Sequence, residues 1–426
     1  MRRPNPAVRP EDALAAWDAA QSSAASTPVT VRCRLMTPMY GGGVEPGSVD
    51  SAMPIRPSAI RGQLRFWWRL LNDTDRSPRD VFAAESALWG GISSTGPRAS
   101  LVTLQVGGRP VGPGEMDGWE SQFGAPRYAL ILDPGADPRL LNAGYEFTLT
   151  LRFSKAADDA QRKQVIEALR WWASFGGVGA RTRRGLGAVR VTSNDIELKP
   201  VTCKEVEAPG GRMALRAPAE PIDAWNNAVE TLKHFRQGEN LGRNRGAGKR
   251  AGRSRWPEPD TIRRRTHTHA PGHEPEHAAS GFFPRAAFGL PIVFQFKDRN
   301  RGDPRGRGGK GLMLAPSDTV DERGRPVRRD RMASPLILRP YYDGTRYRPL
   351  ALLLPRWKQR VSISVDLDSD HVGPAWPKNS GEWEKQAALI APLRGLGADA
   401  LTAFMHYFEH YAREHHGRGG RSRGGR

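Results

Sequence analysis

"YEFTLTLRFSKAADDAQRKQVIEALRWWASFGGVGARTRRGLGAVRVT", residues 145–192, reads as a strand, a helix, a glycine-rich loop and a second strand. Phe147, Leu149, Leu151 and Phe153 alternate with polar neighbours, the period of a strand with one buried face. From about Asp158 to Phe175 the period lengthens to that of a helix, with Val165, Leu169 and Trp172 on one stripe. Glycines end that helix, and a last strand is expected around Ala188 to Thr192.

Working outward, "VTVRCRLM" (29–36) sets Val29, Val31, Cys33 and Leu35 against Thr30, Arg32 and Arg34, so it is a strand as well. A glycine loop, "YGGG" (40–43), follows, and Pro57 suits the first turn of a helix. "ASLVTLQV" (99–106) supplies another strand. The order is β-α-β-β-α-β, the ferredoxin-like split unit shared with RRM-type RNA binders. Topology by itself does not establish RNA binding.

The helix in "MPIRPSAIRGQLRFWWRLL" (53–71) carries two faces. Ile60, Leu64, Trp67 and Leu71 fall on one side at 100° per residue; Arg61, Arg65 and Arg69 form a ridge on another, with Arg56 just before it. Ridge residues four apart lie about 6 Å apart along the axis, close to the phosphate repeat of a nucleic-acid strand, and planar guanidinium forks suit phosphate oxygens. Gly62 costs such a helix about 1 kcal/mol, which is explained if another backbone, protein or RNA, approaches there. One of Trp67 and Trp68 could reach a base. A solvated basic face is the plainer alternative.

The loop at 175–189 gathers Gly176, Gly177, Gly179, Gly185 and Gly187 around Arg181, Arg183 and Arg184. Exposed backbone N–H donors and fixed positive charge can cradle phosphate, as can the earlier Gly41, Gly42 and Gly43. The loop lacks Gly-Lys-Ser/Thr and leaves a helix for a strand, so it is neither a P-loop nor a dinucleotide-binding turn. A glycine-rich hairpin with surface arginines is the alternative.

The chain is basic throughout: 65 Lys and Arg against 45 Asp and Glu, net +20, with a sequence pI of about 10.6. Such a balance points to a polyanion. Membrane is disfavoured, since no apolar run nears the ~20 residues of a span and the basic stretches lack an apolar face. The proline-broken N-terminus has no apolar signal core, so a cytoplasmic location is expected. Cys33 and Cys203, the only cysteines, exclude a disulfide framework and a thiolate zinc site.

In the second half "DAWNNAVETLKHF" (223–235) is an amphipathic helix. Strands are expected at "GLPIVFQF" (289–296), "SPLILRPYY" (334–342), "ALLLP" (351–355) and "VSISVDL" (361–367), and a long helix from about Asp399 to Glu414. A second α+β domain of the same kind fits. Residues 243–265 carry nine basic and two acidic side chains, and "RGDPRGRGGKG" spans 301–311. These read as loops ordered, if at all, by a partner, with Arg243, Arg245, Arg253 and Arg255 as further RNA contacts. The expected division is an extension (1–28), a first domain (29–200), a second with Arg/Gly-rich insertions (201–416) and a disordered tail (417–426).

Several of these stretches together resemble a family. They are the first glycine loop, "IRPSAIRGQLRFWWR" (55–69), the glycine-arginine loop, "FRQGENLGRNR" (235–245), "GRSRWPEPDTIRR" (252–264) and "RMASPLILRPYY" (331–342). They look like the RAMP superfamily of CRISPR systems, and within it the subunit-one family of type III-B Cmr effector complexes, over about 29–345. The resemblance implies an α+β chain of two tandem ferredoxin-like RAMP domains with long basic insertions. It implies a place away from the guide's 5′ tag, contacts to the 3′ portion of the CRISPR RNA and to paired target RNA, and other Cmr subunits as partners. Catalysis in that complex is credited elsewhere, and no cofactor is implied.

Enzymatic alternatives are few. RAMP relatives that cut RNA with a histidine find none here before His234. A metal-dependent endoribonuclease would need a carboxylate such as Asp50. His406, Glu409 and His410 spell an inverted zinc-peptidase motif on a terminal helix without a third ligand, and His267, His269, His273 and His277 follow no defined spacing; no metal site is expected.

Overall fold

Val31, Cys33 and Leu35 of β1 (Val29–Leu35) are buried, and their partners across the ladder extend one apolar face over four strands. The computed structural model describes residues 11, 27–73, 76–93, 96–132, 135–246, 252–266, 281–294, 311–320, 325–368 and 370–410. By contacts the chain splits into two units, Met1–Phe123 with Leu132–Val201 and Tyr342–Thr345, and Gly124–Ile131 with Thr202–Tyr341 and Arg346–Arg426.

In the first unit β1 leads to α1 (Pro57–Asn72), α2 (Pro78–Trp89), β2 (Val102–Gly107), β3 (Glu146–Phe153), α3 (Asp159–Phe175) and β4 (Val189–Thr192). The sheet order is β2-β3-β1-β4, antiparallel throughout, with Val31 opposite Leu149, Cys33 opposite both Phe147 and Val191, and Val102 opposite Phe153. With a helix after the first and third strands, this is the ferredoxin-like arrangement. The other face of β1 presents Arg32 and Arg34, as alternation demands.

α1 packs on α3, and the ring of Trp67 sits 6.0 Å from both Trp171 and Phe175. Asp158 starts α3 with a full capping box: its carboxylate accepts the Gln161 N–H, and the Gln161 side chain returns to the Asp158 N–H. α2 is not among the elements expected from apolar periodicity. Its signals were present, with Ser77 accepting from the Asp80 N–H and Gly90 leaving the helix at φ +73°.

The second unit contains β5 (Arg212–Leu215), α4 (Pro221–Gln237), α5 (Glu258–Thr266), β6 (Ile292–Phe294), β7 (Leu312–Pro316), β8 (Leu336–Tyr342), β9 (Tyr347–Leu353), β10 (Ser364–Leu367), β11 (Asp370–Pro374) and α6 (Ala400–His410). β8, β9 and β5 form a three-stranded sheet in that order, with α4 following β5 and α6 following β9. The succession β5-α4-β8-β9-α6 has the same β-α-β-β-α order as β1-α1-β2-β3-α3 of the first unit; the sheet has three strands among the described residues. The insertions make a second sheet, β6-β7-β10-β11, over a small core of Leu314, Val365, Phe294 and Ile262.

Part of the Arg-rich insertion is a structured element, contrary to the loop reading. Trp256 is buried, its Nε1 donates to the Arg236 carbonyl at 3.0 Å, and its ring meets Phe235 edge-on. On α5, Glu258 is fully buried against Arg285, and Asp260 is shared by Arg253 and Arg263. Composition concealed this because one tryptophan and two buried carboxylates outweigh the surrounding charge. Residues 301–310, the His267–His277 cluster and the 417–426 tail lie outside the described residues.

Candidate nucleic-acid interface

Both glycine loops of the first unit meet at the end of β1. The Ala180 N–H donates to the Tyr40 carbonyl at 2.7 Å, and the Gly187 N–H to that of Pro38 at 2.8 Å. Thr37, fully buried, donates its hydroxyl to the Gly185 carbonyl at 2.6 Å and accepts from the Ala188 N–H at 2.9 Å. Side chains are absent here for a local reason: a Cβ on Gly179 (φ +78°) would stand 2.6 Å from the Tyr40 carbonyl, and one on Gly42 3.4 Å from Gly179. Gly41 packs beside Ala180, Gly43 closes on Ser48, and Gly176 and Gly177 crowd Trp172 and Gly187. Gly41, Gly42 and Gly179 are therefore demanded by loop-on-loop packing, and Gly43, Gly176 and Gly177 by close approaches within their own loops.

That packing aims the arginines. Arg181 holds φ +59° and ψ 24°, left-handed for a residue with a Cβ, and its side chain is exposed with no ion pair among the described residues. Arg183 lies over the ring of Phe66 on α1, 5.5 Å from its centroid. Gly62, Phe66 and Arg69 are spaced i, i+4, i+7, so this contact ties the glycine loop to the border of the arginine ridge. Arg184 closes the short turn through its N–H to the Arg181 carbonyl.

The ridge is not a bare solvated face. Arg65 Nε and Arg69 Nη1 both donate to Oε1 of Glu85 on α2, at 2.6 and 2.5 Å, and Glu85 is 4% exposed. Arg61 donates to the carbonyl of Trp89, the last residue of α2. Burial, with the charge of Arg65 alongside, lowers the proton affinity of the Arg61 guanidinium. One buried carboxylate thus fixes two guanidiniums whose remaining donors stay partly exposed, leaving that trio a net positive charge.

Gly62 is exposed, and apart from its own helix and chain neighbours nothing described lies within 4 Å of where its Cβ would be. Hence no other backbone among the described residues approaches it. Trp67 and Trp68 are 1% and 2% exposed, so neither reaches a base, and Trp68 donates to Gln164 at 3.0 Å. The half-buried aromatic on this surface is Phe66, which periodicity had grouped with neither face.

Arg56 pairs with Asp50 at 3.2 Å. Asp50 also accepts the N–H groups of Met53 and Ala52; the Met53 bond, then the Arg56 side chain, hold its carboxyl below the usual carboxylate range. Asp50 is thus committed to a turn. Glu409 is bound by Arg212 at 2.9 Å, and His406 lies 3.1 Å from the Leu396 carbonyl. No group of three or more metal-ligating side chains occurs among the described residues.

The second unit holds Arg243, Arg245, Arg253 and Arg255 on two paired segments, with the Asn244 N–H on the Arg253 carbonyl (2.8 Å) and the Arg255 N–H on that of Gly242 (3.0 Å). Arg245 pairs with Glu239 at 3.5 Å, Arg253 with Asp260, and Arg255 donates to the Asn240 carbonyl.

Residues 32–190, from β1 to β4, match the RAMP superfamily. This region is similar to RAMP domains. Among solved structures, Cmr1 from Pyrococcus furiosus in its apo form is 14% identical, covering 82% of this chain and 100% of its own at a TM-score of 0.42. A chain of the type III-B Cmr-beta complex bound to cognate target RNA is 9% identical, covering 77% and 94%, at 0.41. Cas6 from Thermus thermophilus is 14% identical, covering 41% of this chain and 57% of its own, at 0.21. A search of curated proteins finds no match. Among the described residues no helix is long and apolar enough to cross a membrane.

Proposed function

We propose that this chain is a non-catalytic RNA-binding subunit of a type III-B CRISPR (Cmr) RNA-guided, RNA-targeting complex, serving antiviral defence in the prokaryotic cytoplasm. Its partners are CRISPR RNA, target RNA and other Cmr subunits; it contacts the 3′ portion of the guide and the paired target. The observation that carries this is the meeting of the glycine-arginine loop with the arginine helix through Arg183 and Phe66, inside the RAMP-like region of a chain with net charge +20. Arg56, Arg61, Arg65, Arg69, Arg181, Arg183 and Arg184 face backbone phosphates, and the glycines let the strand approach the loop backbone. Base sequence is read by pairing between guide and target while the protein holds the backbone. The Cmr assignment draws on "IRGQLRFWWR" and "GRSRWPEPDTIR".

Binding of the purified chain to single-stranded RNA and to a guide–target duplex, titrated with salt, tests it. Six or more phosphate contacts lose on the order of a thousandfold between 50 and 200 mM salt. Salt-independent or absent binding contradicts the proposal. The alternative, a metal-dependent endoribonuclease of the same superfamily, predicts cleavage of labelled RNA with Mn²⁺ that Asp50→Ala abolishes; the engagement of Asp50 by three donors speaks against it.

A further inference from the structure

The inserted sheet of the second unit holds a cavity of about 360 Å³, within the range of small-ligand sites. Its floor is a side-chain cluster drawn from three places. Asp366 on β10 lies opposite His371 on β11, at the point where the register shifts between Val365 and Asp366. Such a bulge re-aims a side chain. Ser317, just past β7, is buried and donates its hydroxyl to Asp366 Oδ1 at 2.6 Å, and His371 Nδ1 lies 2.9 Å from the same oxygen.

A carboxylate oxygen of Asp366 accepting from Nδ1 selects the His371 tautomer protonated on that nitrogen. Asp318 Oδ1 accepts the Arg329 N–H at 2.9 Å. Each carboxylate keeps its Oδ2 without a protein donor among the described residues. Ile363 gives the cavity an apolar wall, and Arg329 lines it too. Arg328 and Arg331 are exposed in the same segment.

We propose that this cavity takes one unpaired guanine nucleotide of the bound RNA. Acceptor oxygens on the floor need a ligand edge made of donors, and guanine alone offers an N–H and an adjacent amino group on one edge. The apolar wall covers the base, and Arg329 takes its phosphate. Resting on the RNA-subunit reading, this adds a base-selective subsite to a chain otherwise gripping backbone.

The test is calorimetric binding of guanosine, adenosine, cytidine and uridine monophosphates, of inorganic phosphate, and of the trinucleotide UpGpU to the full chain. Expected are guanosine monophosphate binding at least tenfold tighter than the other three, displacement by UpGpU, and loss of the preference in Asp366→Asn with an unchanged melting curve. His371→Ala, an exposed position, weakens guanosine monophosphate severalfold and serves where Asp366→Asn fails to fold. Equal or absent binding of the four nucleotides overturns the proposal, as does a preference that both variants retain. A nucleotide that UpGpU cannot displace shows a free-nucleotide pocket and overturns it also. Guanosine selectivity in a chain that shows no salt-dependent RNA binding sinks the RNA-subunit reading instead and leaves the pocket standing.

Discussion

The guanidinium of Arg183 lies over the ring of Phe66, joining the glycine loop after α3 to the arginine-bearing helix α1 at a centroid distance of 5.5 Å. A cation over an aromatic face at a partly exposed site contributes about 0.5–1 kcal/mol. A double-mutant cycle of Arg183→Ala and Phe66→Leu, read by chemical denaturation, is expected to show coupling of that size. Each single variant also weakens RNA binding, because each frees the loop from the ridge.

Glu85 positions the ridge. Replacing it with Gln removes the charge that draws Arg65 and Arg69 together; their side chains are 32% and 42% exposed, which moderates the cost. A loss of about 2 kcal/mol is expected, well short of that for a fully buried pair, since water reaches both guanidiniums. Glu85→Ala and Arg65→Ala should be clearly less than additive in the same assay.

Gly62→Ala separates folding from binding. With open space around the Cβ and an exposed helix interior, alanine stabilises the free chain by about 0.5–1 kcal/mol. If RNA backbone passes Gly62, the same variant binds RNA several times more weakly. Thermal melts and binding isotherms on one preparation report both.

Asp50 supplies a pH signature. Its folded carboxyl titrates below the ordinary value, held there first by the Met53 N–H and then by Arg56, so its contribution is present above about pH 4 and fades as pH falls through the lower folded value. Asp50→Asn should therefore be less stable than the parent at pH 7, and the gap should close in acid. A gap that is constant from pH 7 to pH 2.5 contradicts the assignment of Asp50 to the turn.

Period-2 and helical spacing located the four strands of the main sheet and both sheet-covering helices of the first unit, because each buries a single face; the short strands Gly91–Ser93, Gly96–Arg98, Met116–Gly118 and Arg139–Leu141 carry no such pattern. Val102–Gly107 begins three residues later than expected, since Ser100 caps its own turn by donating to the Val102 carbonyl. α2 and Glu85 were not legible as partners of the ridge: a glutamate on an outer-looking helix announces nothing about two arginines 16 and 20 residues away. Nor could spacing show that the loop glycines serve loop-on-loop contacts, which depend on Thr37 and Tyr40 arriving from a distant strand end. In the second unit, Arg-rich composition hid α5, because Trp256 and the acids Glu258 and Asp260 anchor it through burial that net charge does not record.

The salt dependence of RNA affinity in Arg181→Gly/Arg183→Ala/Arg184→Ala tests the central claim most directly. Glycine relieves the left-handed backbone at 181, by about 1 kcal/mol, so folding is not what that position loses. With the three guanidiniums on phosphates of a single strand, the slope of log affinity against log salt should fall by about 2, with affinity down by an order of magnitude or more. An unchanged slope and affinity in the folded triple variant would show that RNA does not run along the loop and the arginine helix.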